Sequence, residues 1–288
     1  MVMARERWIG AGLAAGLALG ALVPPAEALP GGEAAAMAPH RAVYDISLAR
    51  STPGSGVSDM TGRMVYELAG SACEGYTQNM RFVTRLTNRE GEAQVSDLRT
   101  SSWEDASGSR LRFNSSQFRD DQLAETTQGD AGRANVSDGV RVELTKPDKK
   151  KLDLSGDIYF PMQHSIAMLA AAREGRQVFT ADLYDGSEQG EKVYQTSAFI
   201  GQRADPGKVP LPEDVEGAQR LAALPSWPIS ISYYEPGAER TDALPSYELS
   251  FRFFDNGVSS RLYIDYGDFA ILGELKELTF LEPSECRR

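Results

Sequence analysis

Residues 62–84, GRMVYELAGSACEGYTQNMRFVT, decide the fold. Met64, Tyr66 and Leu68 alternate with Val65, Glu67 and Ala69; the period breaks over 71–75 and resumes from Tyr76 through Phe82 and Val83. A period of two on both sides of a short Gly- and Ser-containing break predicts two antiparallel strands and their turn. That turn carries Cys73, one of only two cysteines, and the other, Cys286, is nearly the last residue. Two cysteines allow one bridge, and a Cys73–Cys286 bond would tie this early hairpin to the C-terminal end.

The compartment follows from the first residues. Arg5 and Arg7 form a positive region, 9–23 an apolar run, and Ala26-Glu27-Ala28 a small-x-small cleavage motif, so 1–28 reads as a secretory signal. Residues 29–39, rich in Ala, Gly and Pro, read as a flexible leader, and 40–288 as a single domain. The apolar run is shorter than the roughly 20 residues a spanning helix needs, so no integral membrane span is expected after cleavage. Outside the cytoplasm a disulfide persists. The formal charge of −11 argues against nucleic acid as a partner, since its phosphates reward a basic surface.

Further alternating segments surround the hairpin: 41–49, 92–105, 110–119, the shorter 122–129 and 131–136, then 140–144 after the turn Ser137-Asp138-Gly139. The basic run KPDKKK at 146–151 reads as exposed lysines at a strand end. After Phe160-Pro161, the positions Ile166, Met168, Leu169 and Ala170 to Ala172 predict one helix over 163–173, closed by Gly175. Its apolar residues cover most of the circumference, which reads either as burial inside the curve of the sheet or as an ordinary core helix packed against one face. Strands return at 177–184 and 188–200. The Pro-rich stretch 201–226, with a short helix over 213–224, reads as a surface insertion. Strands follow at 227–234, 246–254, 258–266 and 269–281, with Asn256-Gly257 read as a type I′ hairpin turn. The predicted class is mainly β: a single large, strongly curved antiparallel sheet with one buried helix, because a sheet beyond about ten strands must curl, split or close.

An ordered series of blocks resembles a known family: RAVY at 41–44, GRMVYE at 62–67, CEGY at 73–76, SWE at 102–104, FPMQH at 160–164, YDG at 184–186, YE at 247–248, and DNGV at 255–258. These are similar to the EipB family, alphaproteobacterial periplasmic proteins tied to cell-envelope integrity. The resemblance spans essentially the whole mature chain except 201–226. It implies a carrier-like β-spiral in the periplasm, a disulfide falling on Cys73 and Cys286, and no catalytic residues to carry over.

Residue chemistry agrees with a non-enzyme. His40 and His164 are the only histidines, and no nucleophile elbow, zinc-binding helix or phosphate loop occurs, so no cofactor or metal is expected. Glu104, Asp105, Asp185 and Asp255 keep a glycan-hydrolase alternative open, since two positioned carboxylates suffice for that chemistry. The leading expectation is a concave apolar face that binds a lipid, acyl chain or extended peptide. Its candidate wall residues are Tyr66, Phe82, Trp103, Phe113, Trp227 and Phe251. The alternative is a scaffold for another periplasmic envelope protein, through sheet edges or the 201–226 stretch.

Overall fold

A computed structural model describes residues 37–135, 138–235 and 244–286. The expected signal sequence, most of the leader and Ser137 lie outside the described residues. From the N-terminal side the strands are β1 (His40–Ser51), β2 (Val57–Ser71), β3 (Gly75–Asn88), β4 (Ala93–Glu104) and β5 (Arg110–Arg119). Next come β6 (Gln122–Gly132), β7 (Val140–Lys146), β8 (Lys150–Leu154) and the two-residue β9 (Ile158–Tyr159). Helix α1 (Pro161–Arg173) precedes β10 (Val178–Leu183), β11 (Tyr194–Ile200) and β12 (Ser226–Tyr234). Strands β13 (Tyr247–Phe254), β14 (Ser259–Asp265) and β15 (Phe269–Phe280) complete the domain.

All fifteen strands form one sheet. Sequence neighbours pair antiparallel, with two departures: β1 pairs with β15 at the centre, and β9 joins β10 in parallel. One arm therefore runs outward from β1 to β8, and the other returns from β9 to β15. The two free edges, β8 and β9, are joined by a linker running only from residue 155 to 157. Four residue steps reach at most about 14 Å, so the two ends of the sheet must face each other. The curl is thus imposed by connectivity as well as by strand twist.

Helix α1 begins where Phe160, held extended (φ −87°, ψ 161°) as a residue before proline must be, hands over to Pro161 at the first helical position. It ends in a Schellman motif: the Gly175 N–H donates to Ala172 O, the Arg176 N–H donates to Ala171 O, and Gly175 takes φ +75°. No residue of α1 before Arg173 is exposed, which fits the expected burial within the curve. The Cys73–Cys286 disulfide links the β2–β3 turn to the C-terminal segment, with Cα atoms 5.7 Å apart and a sequence separation of 213. Two backbone bonds seat that segment, Leu281 N–H to Pro39 O and Ser284 N–H to Gly70 O.

Several sequence expectations are corrected. The fold starts before His40: Met37 is buried and its N–H donates to the Tyr76 hydroxyl, so the last leader residues are part of the core. Residues 122–129 and 131–136 are not two strands, because Gly129 and Asp130 stay in register within β6. Residues 188–190 form a 3₁₀ turn, so β11 starts only at Tyr194. The stretch 201–226 is not a surface insertion. Its 3₁₀ helix, Glu216–Ala223, buries Ala218 and Leu221 beside Val215. Gly217 lies so close to the β15 backbone that an added Cβ would collide with Leu278 O. At Asn256-Gly257 only Gly257 has positive φ, and its N–H donates to Phe254 O, so the loop is a three-residue turn ending in a glycine bulge. The two-residue loop with both φ values positive is instead Asp120-Asp121, between β5 and β6.

Candidate ligand chambers on the concave face

The concave face is built by strand alternation. On β2, Met64, Tyr66 and Leu68 share one face, and register carries that face across the arm: Tyr66 lies opposite Met80, Met80 opposite Thr100, Thr100 opposite Ser115, and Ser115 opposite Thr127. A second row runs from Phe82 to Leu98, Gln117 and Glu125. Both rows begin apolar and end polar.

Two adjacent chambers follow from that gradient. The first, about 410 Å³, lies between β1–β3, β12–β14 and α1; its apolar wall includes Ile231, Leu249, Phe251 and Leu262. Met37, Met64, Met80, Met162 and Met168 all line it, five of the chain's eight methionines. Unbranched thioethers adapt to irregular apolar shapes, so such a wall suits a flexible hydrocarbon. The second chamber, about 450 Å³, is lined by Thr100, Ser102, Asn114, Ser115, Gln117 and Thr127, with the Asp185–Glu188 turn opposite. Tyr66, Gln78, Met80, Pro161, Asp185 and Tyr247 border both.

Hydrogen bonds fix the polar groups of the first chamber. The Tyr66 hydroxyl donates to Gln78 Oε1 at 3.1 Å. The Thr196 hydroxyl donates to Ala181 O at 2.8 Å, so it accepts from His164 Nε2–H at 3.0 Å, which sets the histidine tautomer. Burial depresses the His164 pKa to about 4, leaving the ring neutral at pH 7. His40 donates from Nδ1 to Ala38 O at 2.7 Å, and burial lowers its pKa as well. Burial also raises the Tyr66, Tyr233 and Tyr247 hydroxyls far above the usual range, so they remain neutral.

Glu104 is 1% exposed and accepts from the Met162 N–H at 2.8 Å and the Gln163 N–H at 2.9 Å. It thereby caps α1 from a distant strand, where the helix's own residues offer no side-chain cap. Burial nevertheless pushes its pKa up to about 7, against the pull of those two donors and of Arg133. The other candidate acids are also engaged structurally. Asp105 ties the β4–β5 turn by accepting from the Ser109 and Arg110 N–H groups, and Asp255 pairs with Arg173 at 2.6 Å. Asp185 accepts from the Ser187 N–H at 2.9 Å and borders both chambers. Beside His164, the Ser165 hydroxyl donates to Pro161 O, within its own helix. Among the described residues no cluster of three or more His, Cys, Asp or Glu could hold a metal.

The expected wall residues divide. Tyr66 borders both chambers, Phe251 the first and Phe113 the second. Phe82 is half-buried on the same inner face without lining either chamber, and Trp227 is buried in dry core. Trp103 is a correction: it alternates with the chamber residue Ser102 and so points to the convex face, with the Arg112 guanidinium 5.8 Å from its ring centre. Sequence reasoning looked for aromatics and passed over the methionines. It also passed over the inward Ser, Thr and Gln of β4 to β6, whose signal was a strand polar on both faces.

Fold and chambers together define a class: a curled, barrel-like antiparallel sheet wrapped around a buried helix, with an interior graded from apolar to polar. The EipB-like family model matches residues 32–282, and the chain belongs to that family. It is 37% identical over 251 residues to the cell envelope integrity protein EipB of Brucella abortus (strain 2308), covering 86% of each chain. A crystal structure of a beta-barrel-like protein from Brucella abortus, described as a domain of unknown function, superposes with a TM-score of 0.77 at 36% identity. That match covers 85% of this chain and 99% of the other.

Proposed function

We propose that this is a non-catalytic periplasmic protein that supports cell-envelope integrity by holding an amphiphile, a lipid or acyl chain, within its curled sheet. The observation that carries the reading is the apolar chamber of about 410 Å³ with five methionines in its wall, within the size range of small-molecule sites. The envelope role is that named for the Brucella relative. Native mass spectrometry of protein purified gently from a periplasm tests it. A stoichiometric lipid adduct is expected, and it should vanish in Leu249→Trp, which fills the chamber from β13, at a stability cost of about 1–3 kcal/mol. Protein that carries no adduct and takes up no added acyl chain would remove the reading.

One observation favours the scaffold alternative: Val178 and Phe199, cross-strand partners on β10 and β11, are 57% and 59% exposed on the convex face. If that pair contacts another envelope protein, Phe199→Ser should abolish a periplasmic cross-link and leave the lipid adduct intact.

A further inference from the structure

The ligand-holding reading leaves the ligand's head unspecified, and the inference drawn here rests on that reading. Hydrocarbon fits only one of the two adjoining chambers. A methylene occupies about as much space as a water molecule, roughly 30 Å³, so the methionine-walled chamber takes a chain on the order of a dozen carbons. Beyond Met80 the inner rows turn to Thr100, Ser115, Gln117 and Thr127, which would leave a second hydrocarbon tail against hydroxyls and amides that need hydrogen bonds. The polar chamber therefore suits a head group that both donates and accepts.

Its charge is one-sided. Among the described residues no lysine or arginine lines either chamber, whereas Asp185 borders both, and Glu125 and Glu188 join the wall of the polar one. Lys192 pairs with Glu188 at 3.8 Å and with Glu235 at 2.9 Å and stands outside the wall. Asp185 Oδ1 accepts the Ser187 N–H, and Oδ2 takes no hydrogen bond from the described residues. A phosphate or carboxylate placed here would meet like charge with no lysine or arginine among the described wall residues to hold it, whereas an ammonium would meet a half-buried carboxylate at the junction with the tail chamber. We infer that the ligand is a single-chain amphiphile whose tail lies among the methionines and whose head carries an amine with hydroxyl or amide groups.

Three probes of equal tail length test this below their micelle concentrations: dodecylamine, N-dodecanoylethanolamine and dodecanoate. Each is titrated into the purified protein and followed by tryptophan fluorescence, with native mass spectrometry giving the stoichiometry. The amine should bind one-to-one about tenfold or more tighter than the carboxylate, with the neutral amide between them. Asp185→Asn should erase most of the amine's advantage and leave the amide unchanged. Glu213→Asn, an exposed acid far in sequence from both chambers, controls for the protein's overall negative charge. Dodecanoate binding as tightly as dodecylamine would overturn the head assignment while leaving the ligand-holding reading intact. So would an equal loss of preference in the Glu213 variant. Binding of none of the probes, or binding indifferent to Leu249→Trp, would remove the ligand-holding reading itself, and this inference with it.

Discussion

Glu104 caps the first turn of α1 and His164 completes that turn, yet the two titrate in opposite senses. The folded pKa of Glu104, about 7, lies above the ordinary carboxyl value of 4.5, so the folded protein keeps a proton that the unfolded chain has released. Its contribution to stability is full below about pH 4.5 and lost as pH rises through 7, about 3 kcal/mol in all. The folded pKa of His164, about 4, lies below 6.5, so the unfolded chain takes up the proton first. That contribution is full above about pH 6.5 and lost as pH falls through 4, of similar size. The two offset each other between pH 4.5 and 6.5. Urea unfolding of Glu104→Gln should therefore show stability rising with pH across that window, and His164→Gln should show it falling. Slopes unchanged from the parent in both variants would refute the burial effects. The tryptophans supply a second comparison by the same measurement. Trp227→Ala should cost about 3–5 kcal/mol, as a buried aromatic does, and Trp103→Ala, on the convex face, well under half of that.

Among the elements, the 3₁₀ helix Glu216–Ala223 departs furthest from its sequence reading. Prolines on both sides and polar residues between suggested a surface excursion, but Leu221 is fully buried and the Arg220 guanidinium sits 4.0 Å over the Phe280 ring. The element serves as a lid on β15, packed closely enough at Gly217 that no side chain fits. Leu221→Ala should therefore cost about 2–5 kcal/mol in chemical denaturation, the range for emptying a buried leucine site. A loss below about 0.5 kcal/mol, usual for surface changes, would restore the excursion reading. Helix α1 went the other way. Its all-round apolar pattern announced burial and Gly175 its C-terminal end, while the helix itself begins at Pro161, two residues before its expected start. Its N-terminal cap did not, because Glu104 reaches it from 58 residues away.

For the molecule as a whole, closure is the governing property. The first and last strands pair at the centre of the sheet, the free edges are tied by the short 155–157 linker, and the disulfide spans 213 residues. A cross-link over so long a loop removes unfolded-state entropy worth up to about 5 kcal/mol. Cys73→Ser with Cys286→Ser should lower the melting temperature while the far-UV circular dichroism of the sheet survives, since the β1–β15 ladder persists without the bond. An unchanged melting temperature would deny the bond a structural role. The same curl gives the sheet an inner face, which the proposed amphiphile would occupy.

Taken alone, the sequence determined the strand-rich class, the curling of one large sheet, the buried helix and the single cysteine pair. Periods of two and of 3.6, turn residues and cysteine arithmetic are local or countable signals. Only the tertiary structure decided which face of each strand turned inward, and so that Trp103 lies outside while five methionines lie inside. It also decided that residues 201–226 contribute to the core, and that the polar rows of β4 to β6 adjoin an apolar chamber. Those outcomes depend on register between strands and on the two ends of a sheet meeting across three residues, relations between distant segments that no local pattern records.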